Sequence, residues 1–299
     1  MAVFKLSIVA SALSNDARES PRLARQMGFS GLQFDAYSPA LRIPDLSGTG
    51  RRDFLRMLTS QDQALVGLRG DLGSKGFGPG ADVDRLLSRL DDAMEAAVGL
   101  MAPLLCIDFG PLPAAPPTAR PKTTITPEQA GLLFIPTPTS ETPQDQAPPT
   151  PPDPAFVSSV DGALADLGQR ADRYGVMLGF RSDLAGFASI DAALRRANCP
   201  YFGIDLDPPA LLRDQWTADE IFSRLGHLIR HVRARDANVG SERRVQPTSL
   251  GRGDTNWPQL LSNLDAAGYA GWITIDPTEL TDRVAAAAVG LAHLRMAMR

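Results

Sequence analysis

Apolar residues along this chain gather in short runs that alternate with longer stretches of three- and four-residue periodicity. Phe4 to Ala10 is the first β-rich run, after which Ser14 and Asn15 offer caps for a helix through Met27, stopped by Gly28. GLQFDA, Gly31 to Ala36, reads as a second strand ending in Asp35, and an arginine-rich helix follows from about Arg51 to Gln63. Leu65 to Arg69 is a third strand, ending near Asp71. Val83, Leu86, Leu87, Leu90, Met94, Ala97 and Val98 then share one face of a helix between Asp82 and Met101. Leu104 to Gly110 is a fourth strand. Further on, helices at Ser159–Tyr174, Asp191–Ala197, Thr217 to about Arg230 and Trp257–Ala267 alternate with strands at Val176–Phe180, Phe202–Leu206, His231–Arg235 and Trp272–Ile275. A last helix runs from Thr281 to Met298.

Eight strand signals, each followed by a helical segment, predict parallel strands joined by helical crossovers. A doubly wound open sheet would ask for a glycine-rich phosphate turn after the first strand, and SALSNDA has none. The expected fold is therefore α/β, a (β/α)8 TIM barrel forming one domain over residues 1–299. The alternation breaks once, at 111–154, which holds more than half of the 25 prolines. Proline fixes φ and lacks an amide hydrogen, so this stretch reads as a long insertion after the fourth strand, extended or disordered. Its one apolar cluster, Leu132 to Ile135, reads either as a docking element or as a locally collapsed loop.

Composition adds mainly exclusions. A 299-residue chain that is 43% hydrophobic and 21% charged suits a barrel with a sizeable core. The net charge of -4 provides no global attraction to nucleic acid or to an anionic membrane, and no run is apolar enough to span a bilayer. Cys106 and Cys199 form no CxxC pattern and no disulfide framework, which fits a reducing, cytoplasmic setting. The opening residues are read as a first strand in preference to a signal peptide. Oligomeric state is not legible.

Barrel chemistry sits at the C-terminal ends of the strands. Those ends carry Asp35, Asp71, Asp108, Arg181 with Asp183, Asp207, Arg233 with Asp236, and Asp276. Each taken singly reads as a cap for a following turn or helix; together they point to a polar site in the mouth.

Several segments resemble the sugar phosphate isomerases and epimerases of the xylose isomerase-like barrel superfamily: ARQMGFSGLQFDA, FGIDLDPPA, HVRARDA and SLGRGDTNWPQLLSNLDAAGYAGWITIDP. The most specific is LGRGDTNW followed by a helix and then GYAGWITID. The resemblance spans nearly the whole chain outside the proline-rich insertion. It implies a divalent cation held by a Glu, an Asp, a His and a second Glu from successive strand ends, with carboxylates moving a proton between neighbouring sugar carbons. Carried over position by position, those ligands fall on Arg181, Asp207, Arg233 and Asp276. A further family His falls on Ala210, and the Glu of the second strand on Gln33.

Arginine has no lone pair for a metal at ordinary pH. The expected cofactor is therefore none, with Mn or Mg admissible only if this ligand reading fails. The three histidines, His227, His231 and His293, read as structural, which also disfavours the histidine-rich nuclease branch. In place of the metal, Arg181 and Arg233 are expected to pair with carboxylates. By the same resemblance Asp207 and Asp276 are the acid/base candidates. The candidate ligand contacts are Arg181, Arg233, Asp236, Arg244, Arg252, Gln33 and Asp35. The arginines either bind an anionic small molecule or only satisfy aspartates and water. Three functions remain open: an isomerase or epimerase acting on a small carbohydrate, a non-catalytic binding or scaffold descendant, and a metal-free lyase.

Overall fold

The structure, a computed structural model, describes residues 4–115, 152–240 and 244–299. Eight parallel strands close into a barrel: β1 Lys5–Val9, β2 Gly31–Asp35, β3 Ala64–Gly70, β4 Leu104–Ile107, β5 Met177–Phe180, β6 Phe202–Leu206, β7 Ile229–Ala234 and β8 Trp272–Ile275. The seam is β1 against β8, in register from Lys5 opposite Trp272 to Ile8 opposite Ile275. Every predicted strand is present, within a few residues of its expected ends.

The outer layer holds α1 Ser20–Met27, α2 Gly48–Thr59, α3 Val83–Gly99, α4 Pro154–Tyr174, α5 Phe187–Ala197, α6 Pro208–Asp214, α7 Ala218–Leu225, α8 Trp257–Ala266 and α9 Arg283–Ala297. Between strands and helices lies the apolar core. One residue per strand, Ile8, Leu32, Leu68, Leu105, Leu178, Ile204, Val232 and Ile273, is 0% exposed there. The strand alternation turns the neighbouring residues inward, and most of those are polar or glycine: Ser7, Gln33, Gly67, Cys106, Gly179, Asp205, His231 and Thr274. Barrel interiors are more often filled by branched aliphatic side chains.

Helix starts differ from the periodic pattern where prolines and short caps decide them. Ser14 and Asn15 cap nothing; α1 begins at Ser20 with Pro21 in its first turn, and residues before it form turns in which Ser14 Oγ and Asp16 Oδ1 accept local amides. Pro154, expected as the end of the insertion, is the first residue of α4, with Asp153 accepting from the Ala155 amide. Proline is tolerated there because that N–H has no helical partner in any case. Thr217 and Glu220 form the full capping box of α7. Three elements have no periodic signal long enough to predict: α6, the hairpin Tyr37–Ser38/Leu41–Arg42, and the hairpin Asp236–Val239/Val245–Thr248. Most of the 111–154 insertion, including Leu132 to Ile135, lies outside the described residues. Among those described, no helix is long and apolar enough to cross a membrane.

Adjacent strands approach closely at Gly67, where an added Cβ would sit 2.7 Å from the Leu104 carbonyl oxygen. Backbone cannot swing aside as a side chain can. Gly67→Val is expected to part β3 from β4 and cost about 2–3 kcal/mol, measured as a lower urea midpoint at unchanged m-value.

Candidate functional site

The mouth of the barrel is built on a chain of ion pairs. Arg69, on β3, grips Asp35 Oδ1 at the end of β2 through Nε at 2.8 Å and Nη2 at 2.7 Å. Its Nη1 reaches Asp276 Oδ2, just past β8, at 2.8 Å. Arg233, on β7, gives its Nε to the same oxygen at 2.7 Å and its Nη1 to both oxygens of Asp183 at 3.0 and 3.1 Å. Arg235 clasps Asp207 in two-pronged fashion, Nε to Oδ1 at 2.9 Å and Nη2 to Oδ2 at 2.5 Å, and also meets Asp183 and Glu279. Arg181, immediately after β5, pairs with Asp183. Four guanidiniums thus face five carboxylates, so the mouth carries no surplus of positive charge.

Asp276 is the centre of this chain. Its Oδ2 takes Arg69 and Arg233, while Oδ1 accepts the Thr278 amide at 3.1 Å and the Thr278 hydroxyl at 2.5 Å. A carboxylate has about four lone-pair positions, and all are in use. Burial alone would raise this carboxyl, but Arg233 and Arg69 outweigh it and hold it well below the usual carboxylate range. Burial likewise opposes the charge on Arg233, and Asp276, Asp207 and Asp183 more than restore it. Asp183 is also held low, against its burial, by Arg233, Arg181 and Arg235. Asp108 goes the other way: burial raises it, although its carboxylate accepts the Gly110 and Leu184 amides at 3.0 and 2.9 Å.

One pleat deeper lies a second polar tier. His231 Nδ1 is 2.7 Å from Asp205 Oδ1, its Nε2 is 2.6 Å from Thr274 Oγ1, and Thr274 Oγ1 is 2.7 Å from Ser7 Oγ. Gln33 Nε2 donates to Cys106 Sγ at 3.3 Å. Burial raises Asp205, and His231, Arg233 and Arg181 together bring it below its ordinary value. Among the described residues, Cys106, Asp205 and His231 bring ligand atoms within 4.8 Å of one another, a set able to coordinate a metal ion. Coordination there would cost existing bonds, since both His231 nitrogens are engaged. Burial, with Asp205 adding to it, also pushes the Cys106 thiol well up, away from the thiolate a metal needs.

The candidate residues from the sequence separate into groups. Arg233, at 4% exposed, and Arg181 face the mouth, each paired with a carboxylate. Asp35, Asp207 and Asp276 join them in the ion-pair chain. Gln33 lies below, in the deeper tier. Asp236 is buried, and its carboxylate accepts the amides of Ala237, Gly251, Gly253 and Thr255, so it staples the glycine turn to the adjoining hairpin. Arg252 stands exposed in that turn and Arg244 on the hairpin. His231, read from the sequence as structural, is buried in the deeper tier with both ring nitrogens hydrogen-bonded, and it is also one of the three residues able to coordinate a metal ion. The sequence reading missed Arg69, Arg235 and Glu279 as partners. A signal for two of them was present: in RHVRARD the period of two puts His231, Arg233 and Arg235 on one side, and Arg69 follows Gly67 in the same phase.

The four positions to which the family resemblance assigns a cation do not fit one. Two are guanidiniums, Arg181 and Arg233, Asp276 has no lone pair to spare, and Asp207 is held on both oxygens by Arg235. The further position, Ala210, offers no donor at all.

Residues 21–296 match the family model described as xylose isomerase-like TIM barrel. No curated protein sequence matches. Among solved structures, the chain superposes on a xylose isomerase domain protein from Planctomyces limnophilus with a TM-score of 0.70 at 15% identity, over 98% of this chain and 96% of that one. It superposes on D-psicose 3-epimerase from Clostridium cellulolyticum H10 with a TM-score of 0.67 at 12% identity, over 99% of each chain. For 3-keto-D-glucoside 4-epimerase from E. coli the TM-score is 0.66 at 16% identity, over 98% of this chain and 100% of that one. At such identities the likeness is one of fold.

Asp276→Asn is expected to cost about 3–5 kcal/mol, because it leaves two buried guanidiniums facing each other, read by chemical unfolding. The pH dependence has a definite sign. A carboxyl held low in the folded state contributes stability that is fully present above its unfolded value of about 3.9. That stability is lost as the pH falls below this value and through the depressed folded one. A stability–pH profile should show this acid-side loss in the native protein and less of it in Asp276→Asn.

Proposed function

The chain belongs to the xylose isomerase-like TIM barrel family, and from that premise we propose that it binds a small carbohydrate without the divalent cage and without turning it over. The observation that carries this reading is the saturated carboxylate of Asp276. With Arg69, Arg233 and Thr278 on its two oxygens it is closed to a cation, and with its protonated form so disfavoured it is a weak base at neutral pH. General acid–base work is most effective when the group's pKa lies near the operating pH. Asp207, the other acid/base candidate, is clasped on both oxygens by Arg235.

The isomerase or epimerase alternative needs a carboxylate that can both take up and release a proton beside a polarised carbonyl. Neither candidate is poised for that. Arg233 supplies the positive charge at the family's ligand position, but it is spent on Asp276 and Asp183. A polar mouth with balanced charges remains suited to hydroxyl groups, which accept and donate hydrogen bonds without needing a net charge opposite them.

Two measurements test this. D-fructose and D-xylose, incubated with the protein in heavy water, should bind, as seen by ligand-observed NMR, without deuterium entering any carbon-bound position. Exchange at carbon would restore the catalytic reading. Protein purified after growth with added Mn and Zn should show metal, if any, only through the deeper tier, so that Cys106→Ser removes it. Bound metal that survives Cys106→Ser would lie at the mouth and overturn the proposal.

A further inference from the structure

The centre of the mouth, where a sugar would meet a metal in the cage that the resemblance implies, is occupied by the Arg69–Asp276–Arg233 bridge. The open space lies to one side. A cavity of about 300 Å3 opens between the ends of β1 and β2, large enough for a monosaccharide-sized molecule. Its lining combines the hydroxyls of Ser11, Ser14 and Ser38 and the amide of Asn15 with apolar surface from residues such as Leu41. Asp35 is the one charged residue in that lining among the described residues.

Asp35 is a prepared group. Arg69 holds its Oδ1, and Ser11 Oγ donates to its Oδ2 at 2.7 Å. Oδ2 accepts only this one bond among the described contacts, which leaves lone-pair capacity toward the cavity. The outer wall is prepared as well. It is the hairpin Tyr37–Ser38/Leu41–Arg42, whose tip, Pro39 and Ala40, is exposed. Tyr37 anchors that hairpin to α3: its hydroxyl donates to the Arg89 carbonyl, and the Arg89 guanidinium lies 4.0 Å from the ring centroid. A wall fixed at its base spares the ordering cost that a loose loop would bring to binding.

The charges decide the ligand class. A phosphate would need a cation in contact, yet the cavity presents a carboxylate, and the guanidinium paired with that carboxylate, Arg69, is committed to Asp35 and Asp276. Adjacent hydroxyls of a polyol, by contrast, can donate to a fixed carboxylate while their C–H faces lie on the apolar part of the wall.

We propose that this off-centre cavity between β1 and β2 is the ligand seat, and that it takes an uncharged polyhydroxylated molecule of monosaccharide size and rejects its phosphate ester. The assignment rests on the carbohydrate-binding reading above. The test compares D-fructose, xylitol and D-fructose 6-phosphate by ligand-observed NMR and calorimetry, on the native chain and on two plugged variants, Ala40→Trp and Ser14→Met. Both changes lie on loops, and unchanged thermal unfolding identifies folded variants. D-fructose or xylitol should bind, each plug should weaken that binding about tenfold or more, and the phosphate ester should bind about tenfold more weakly than the free sugar. Equal or tighter binding of the phosphate ester, or binding untouched by both plugs, would overturn the seat and leave the carbohydrate reading standing. If none of the three molecules binds, both fall together.

Discussion

A single carboxylate, Asp276, between two buried guanidiniums, Arg69 and Arg233, is the interaction on which the mouth of this barrel depends. Each of the three would be costly to bury alone, because a lone charge in a low-dielectric setting keeps little of its hydration. Together they satisfy one another, and Thr278 completes the carboxylate. The chain then passes outward: Arg69 orders Asp35, Arg233 orders Asp183, and Asp183 ties in Arg181 and Arg235. Because every member has at least one charged neighbour, the network behaves as a unit rather than as a set of separable pairs.

That unit rests on a second polar tier rather than on packed aliphatics. Small residues make room for it. Gly179 stands where a Cβ would lie 3.4 Å from Cys106 Sγ and 3.6 Å from Asp205 Cβ, so a branched side chain there would press on both. The tier is largely closed on itself through Ser7, Thr274, His231 and Asp205, although Asp205 Oδ2 is buried without a hydrogen-bond partner. The anionic Asp205 also complements the guanidiniums above it, which links the two tiers electrostatically as well as sterically.

These constraints bear on what the mouth can hold. With cations built into the protein, the positive charge at the mouth is permanent and already neutralised, and the middle of the mouth is filled with protein groups. What stays available among the described residues is peripheral: the hydroxyl-lined space beside β1 and β2, a wider and shallower one of about 510 Å3 between the β1 end and Leu280 to Val284, and a smaller one of about 170 Å3 near β6 and β7, bordered by Asp207, Arg213, Arg235 and Glu279. A ligand held at the rim by hydrogen bonds can be recognised without the carbonyl polarisation that a central cation supplies. Recognition and chemistry are separable in such a barrel, since the fold fixes neither.

The barrel was legible in the chain because it depends on local regularities. Eight short apolar runs with helical periodicity between them leave few ways to bury both, and the inward–outward alternation of each strand is a property of the strand itself. That Arg181 and Arg233 stand at strand ends was legible for the same reason: residue type and strand position are written in order. Partnership was not. That Arg69 rather than Arg181 would share Asp276, that Asp236 would spend its carboxylate on the amides of Gly251, Gly253 and Thr255, and that His231 would meet Asp205 inside the barrel are all contacts between distant segments. An arginine side chain can reach carboxylates on several strands, so only closure of the barrel, which sets the angle and height of each strand around the axis, decides which carboxylate it meets.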